Sequence, residues 1–131
     1  MHIYNLPQEI EVWYLIPAVR RELARLLTQK HNLSYDRAGD SLGISKAAIS
    51  QYNKKKRASK VKLHKLVLKE IEKSASRIRK DKSVNVREML RVLEFMRKKK
   101  LSFEYCKGGK HDHEECQEVA ITYEKYWDCP K

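Results

Sequence analysis

Apolar side chains recur at helical spacing in several stretches of this chain. From Pro17, the positions Ala18, Val19, Leu23, Leu26 and Leu27 mark one face of a helix ending near His31-Asn32. The proline suits its first turn, where a missing N–H leaves no bond unmade. Ahead of it, Ile10, Val12, Trp13, Tyr14, Leu15 and Ile16 form a denser apolar patch after Pro7. Partial helix is expected there, packing on the long helix or on a second subunit. A stripe of Leu63, Val67, Ile71, Ala75 and Ile78 predicts another long helix, broken by the turn Lys80-Asp81-Lys82-Ser83. Asn85, with Glu88 three residues on, reads as the N-cap and acid of a last helix. Its buried side is Met89, Val92, Leu93 and Met96, and its basic end, Arg97 to Lys100, matches the negative end of the helix dipole. Strand signals are nearly absent, so the predicted fold class is all-α.

Two shorter runs lie between the first pair of long helices. Ala38, Leu42, Ile44, Ile49 and Tyr52 supply small or apolar positions around a single glycine, Gly43, which tolerates positive φ at a sharp turn. Ser34 is placed to cap the first run, with Asp36 near its positive end, and Ser45 caps the second. Gly39 leaves a bare surface where the second run must cross. This is the pattern of a helix-turn-helix, although two short amphipathic helices joined at a glycine are also common core elements. Ser45, Lys46, Ala47, Ser50 and Gln51 remain for the exposed face, a small polar surface suited to base edges in a major groove. The basic run Lys54-Lys55-Lys56-Arg57 follows directly, and Lys54, Lys55 and Arg57 are the expected phosphate contacts.

Charge sharpens this picture. The net charge of +12 over 131 residues is uneven. Residues 1–53 hold 6 lysines and arginines against 5 acids, residues 54–110 hold 21 against 6, and residues 111–131 hold 2 against 6. The reading unit is therefore nearly neutral, and the segment after it carries the affinity for a polyanion. Three regions follow: a DNA-binding helix-turn-helix over 1–60, a helical dimerisation region over 61–101 and a cysteine-containing segment over 102–131. The apolar stripes of the middle region, at residues 63–78 and 89–96, could complete the core of one chain, but they are generous for its size, which points to a homodimer. No run of 18 apolar residues exists, and the start lacks a basic region leading into an apolar one. No membrane partner and a cytoplasmic location are expected.

All three cysteines fall in the last 26 residues. A secreted disulfide scaffold spreads and pairs its cysteines, so this clustering reads as a metal or redox site in a reducing compartment. Cys106, Cys116 and Cys129 supply three thiolates, with His111 or His113 as a fourth ligand. Cys129-Pro130 matches the last ligand of bacterial ferredoxin motifs, and the expected cofactor is an iron–sulfur cluster. Zinc is the alternative, weakened by the absence of a C-x-x-C pair. The plain reading is ordinary buried thiols or a reversible disulfide between Cys106 and Cys116.

Leu6-Pro7-Gln8-Glu9-Ile10, Ile16-Pro17-Ala18-Val19-Arg20-Arg21-Glu22-Leu23-Ala24 and Leu42-Gly43-Ile44-Ser45-Lys46-Ala47-Ala48-Ile49-Ser50-Gln51-Tyr52 resemble archaeal regulators of the XRE-type, Cro/repressor-like class with a C-terminal cysteine cluster. The resemblance covers about the first 60 residues. It implies a dimeric, sequence-specific DNA-binding protein with its second short helix in the major groove. Similar sequences carry a cysteine near the Leu-Pro-x-Glu entry and often a C-x-x-C in the tail; this chain has Gln8 and no such pair.

The function expected is transcription regulation by double-stranded DNA binding, modulated by redox, iron or oxygen through the cluster. The alternative is a non-sensing nucleic-acid-binding module with a structural zinc site. No paired carboxylates, phosphate-binding glycine loop or nucleophile with its base argue for an enzyme.

Overall fold

The computed structural model describes residues 6–54, 61–99 and 104–105, and these are mostly helical. α1 (Pro7–Ile10), a π-helical stretch (Glu11–Leu15), α2 (Ile16–Arg25) and a second π-helical stretch (Leu26–Lys30) follow without a break. The apolar patch before Pro17 is thus helical throughout, beyond the partial helix expected. Pro17 has no N–H to offer the preceding turn, and its ring crowds the carbonyl of Trp13. The wider π turn just before it takes up this misfit, with the Ile16 N–H reaching back to the Glu11 carbonyl. The chain leaves the second π stretch at Asn32, which takes φ 57°, a left-handed position that asparagine tolerates.

Two short helices come next, α3 (Tyr35–Leu42) and α4 (Lys46–Asn53). β1 (Val61–Lys62) pairs antiparallel with β2 (Glu104–Tyr105), setting Val61 opposite Tyr105 and Lys62 opposite Glu104. Two residues are too few to show alternation, so this pairing had no local signature.

α5 (Lys65–Lys80) begins beyond Leu63, which sequence periodicity had placed on its stripe. Its cap is His64, a residue to which sequence reading gave no role: Nδ1 accepts the Leu66 N–H at 3.1 Å. Asp81 ends α5 in an extended conformation and caps a short 3-10 turn (Lys82–Val84), accepting from the Ser83 N–H at 3.0 Å. α6 (Asn85–Lys99) continues directly from that turn, and Asn85 has helical dihedrals (φ −56°, ψ −47°). The expected capping box is therefore not formed. The 3-10 turn moves the capping task to Asp81, and Glu88 is turned inward instead.

Buried side chains of the long helices and of α3 and α4 form one cluster, with Leu15, Leu23, Leu27, Ile49, Ile71, Ile78 and Met96 among its fully buried members. Each contributes about 1.5–3 kcal/mol by leaving water. Val67, Ile71, Ala75, Ile78, Val92 and Met96 are fully buried within this chain. Sequence reading left these stripes to a dimer contact or to the core of a single chain; here they pack on α2 and on each other. Val86 and Leu90 on α6, with Val12 and Trp13 near the start, remain exposed. Among the described residues, no helix is long and apolar enough to cross a membrane.

Candidate nucleic-acid interface

The local build of α3 and α4 follows from two glycines and two serines. Ser34 is extended, and its hydroxyl accepts the Arg37 N–H at 3.2 Å, closing the start of α3. Gly43 ends α3 at φ 69°, the left-handed position that a glycine fills without strain. The Ile44 N–H then returns to the Gly39 carbonyl at 2.9 Å. Ser45 is extended in turn, and its hydroxyl accepts the Ala48 N–H at 3.0 Å. Gly39 allows the close crossing expected of it: a Cβ there would stand 2.6 Å from the Ile44 carbonyl oxygen.

With these constraints, α4 buries Ala48, Ile49 and Tyr52 against the core. Ser45, Lys46, Ala47, Gln51 and Lys54 are exposed, and Ser50 is half-buried. Five of the six described candidates thus lie open on or beside one short helix. Its far end is pinned: the Asn53 amide donates to the Thr28 hydroxyl at 3.1 Å, which itself donates to the Ala24 carbonyl at 2.8 Å. Lys55 and Arg57 lie outside the described residues, as do Cys106, Cys116, Cys129, His111 and His113. Among the described residues, no group of three or more His, Cys, Asp or Glu side chains could hold a metal ion.

The electrostatics around this surface are local. Lys46 Nζ lies 3.7 Å from Asp36 Oδ2, joining the starts of α4 and α3. Lys82 Nζ reaches Asp40 at 2.7 Å, tying the other acid of α3 to the turn before α6. At the end of the first long helix, burial pushes the His31 imidazole below its ordinary value, and Arg79 and Lys30 act the same way.

Sequence reading missed the contacts that hold the unit to the rest of the chain. Arg21 of α2 donates to the Val61 carbonyl at 2.7 Å, fixing β1 on the core. A separation of 40 positions leaves no periodic trace of this bond. The Asn53–Thr28 contact is likewise invisible to local pattern.

No family model matches this chain, and no curated protein or solved structure matches it either.

Proposed function

We propose that this chain is a sequence-specific DNA-binding transcriptional regulator of the XRE-type helix-turn-helix class. α4 would enter the major groove and the basic segment after it would hold the phosphates. One observation carries the reading: Ser45, Lys46, Ala47 and Gln51 lie open on a short helix whose other side is locked into the core by Ile49 and Tyr52. A polar outer face is common to amphipathic surface helices; here its side chains are small and open, which leaves room for base edges to approach. The imbalance of 21 basic against 6 acidic residues over 54–110 adds the sequence-independent attraction. Dimeric binding to two half-sites belongs to the same proposal. Val86 and Leu90, one turn apart and exposed on α6, are the apolar surface it would use.

Sensing through an iron–sulfur cluster held by Cys106, Cys116 and Cys129 is the second half of the reading. Its support is the donor set, three soft thiolates with two nearby imidazoles, and a physical link to the reading unit. β2 ends at Tyr105, beside Cys106, and pairs with β1, which Arg21 ties to α2. A change of order in the tail therefore has a route to the helices that carry α4.

The test is selection from a random duplex library by the full chain, purified without oxygen, at raised salt. Enrichment of one sequence supports the regulator; retention of all duplexes alike overturns it. Visible absorption with iron and sulfide analysis decides the cofactor, and a colourless protein with stoichiometric zinc removes the sensing half.

A further inference from the structure

We infer that Asp36 is a specificity-determining residue, holding Lys46 away from phosphates so that α4 engages only a groove whose base edges satisfy both side chains. This deepens the proposed DNA-binding reading and rests on it.

The placement of Lys46 is the starting point. It is the first residue of α4, a cation at the positive end of a helix, where it gains nothing from the dipole. Asp36, in the first turn of α3, brings Oδ2 to 3.7 Å from its Nζ. The two side chains are 64% and 75% exposed, so the pair contributes little to stability. Its consequence is electrostatic and lies at the surface where DNA would dock. A phosphate approaching Lys46 meets the Asp36 carboxylate as well, and that negative charge repels it. A base pair differs, because the major groove offers acceptors and donors side by side. Guanine O6 and N7 can accept from Lys46 while the amino group of a cytosine donates to Asp36.

The charge distribution agrees. The first 53 residues hold 6 basic against 5 acidic side chains, although the chain as a whole carries +12. A reading unit kept neutral while its neighbour is strongly basic separates recognition from general attraction. Asp40, the other acid of α3, is engaged elsewhere by Lys82 at 2.7 Å. Asp36 is thus the acid of α3 that touches the reading helix.

The experiment compares the full-length wild type with Asp36→Asn, Lys46→Met and the double variant. Binding is measured to the duplex enriched by selection and to a scrambled duplex across a salt series. Asp36→Asn is expected to bind the scrambled duplex about threefold tighter at low salt, with a salt slope steeper by about 0.9. Binding to the selected duplex stays level or weakens, so the ratio between the two falls. Adding Lys46→Met is expected to abolish the gain. Equal gains on both duplexes, no gain on either, or a gain that survives loss of Lys46 would each overturn the assignment. A wild type that enriches no duplex overturns the parent reading and this inference with it. An unchanged urea midpoint for Asp36→Asn separates these outcomes from misfolding.

Discussion

Arg97 grips Glu11 across 86 residues of sequence, its Nη2 donating to both carboxylate oxygens at 2.7 and 2.9 Å and its Nε to one of them at 3.1 Å. The Glu11 side chain is 3% exposed, and among the described residues this guanidinium faces its charge. The bond clamps the π-helical entry of the chain to the last turns of α6. Arg97→Ala is expected to cost about 2–3 kcal/mol, reduced from the value for a fully buried pair because Arg97 is 37% exposed. Replacing both partners, Glu11→Leu with Arg97→Met, should cost less than Arg97→Ala alone, since no buried charge is then stranded. Urea unfolding of the three variants checks the order.

Gly39 and Gly43 fail for different reasons, and their variants separate close approach from backbone conformation. Gly39→Ala would bring a Cβ to 2.6 Å from the Ile44 carbonyl, so α3 and α4 must part. A loss of about 1–3 kcal/mol is expected, with the proposed DNA binding falling as α4 shifts. Gly43 has room for a side chain but sits at φ 69°. Gly43→Ala should cost about 1–2 kcal/mol and Gly43→Asn distinctly less, because asparagine tolerates the left-handed region. Thermal melts read both.

Stability is expected to fall in acid through the polar cluster between α5 and α6. Glu88 Oε1 accepts from Ser74 at 2.9 Å and from Arg77 and Arg91 at 3.1 Å, while Arg91 also donates to Glu70 at 2.6 Å. Burial alone would raise the Glu88 carboxyl, but the bonds from Ser74, Arg91 and Arg77 outweigh it and hold it below its ordinary 4.5. Bonds from Lys73 and Arg91 lower Glu70 in the same way. The unfolded chain therefore binds more protons as pH drops, and acid favours unfolding. The contribution is complete above about pH 4.5 and is lost as pH falls through the folded values. His31, lowered from 6.5 by burial and then by Arg79 and Lys30, adds an earlier decline that begins near its unfolded value. Glu88→Gln should flatten the acid limb of a stability–pH profile and leave the His31 portion in place.

The proposed contacts divide into two kinds that binding data can tell apart. Gln51→Ala is expected to cost about 1–3 kcal/mol on the selected duplex and to relax preference at one position. Lys54→Ala, Lys55→Ala and Arg57→Ala should weaken all duplexes alike and reduce the salt slope by about 1 each. An effect of Lys55→Ala confined to one sequence would contradict its assignment to phosphates.

For the proposed iron–sulfur cluster, loss of any cysteine is expected to remove its visible absorption. Cys106→Ala, Cys116→Ala and Cys129→Ala, each purified without oxygen, should be bleached, and full colour in one would strike that residue from the ligands.

The main helical segments, the two serine caps, the glycine corner and the open face of α4 were legible locally. Such features need only a few neighbouring residues: a hydroxyl reaches an N–H three positions on, and an apolar period marks which side is dry. The sequence could not say whether the stripes of α5 and α6 face a partner or their own chain. An apolar face is equally stabilised by either, and only tertiary packing on α2 decided it. Glu88 and Asn85 show the same limit, since a cap and an inward ion pair use the same residue types. Arg97 with Glu11, Arg21 with Val61 and Asp36 with Lys46 were beyond local reading for one reason. Charges and carbonyls far apart in sequence carry no period, and it is the closing of the chain that brings them within reach.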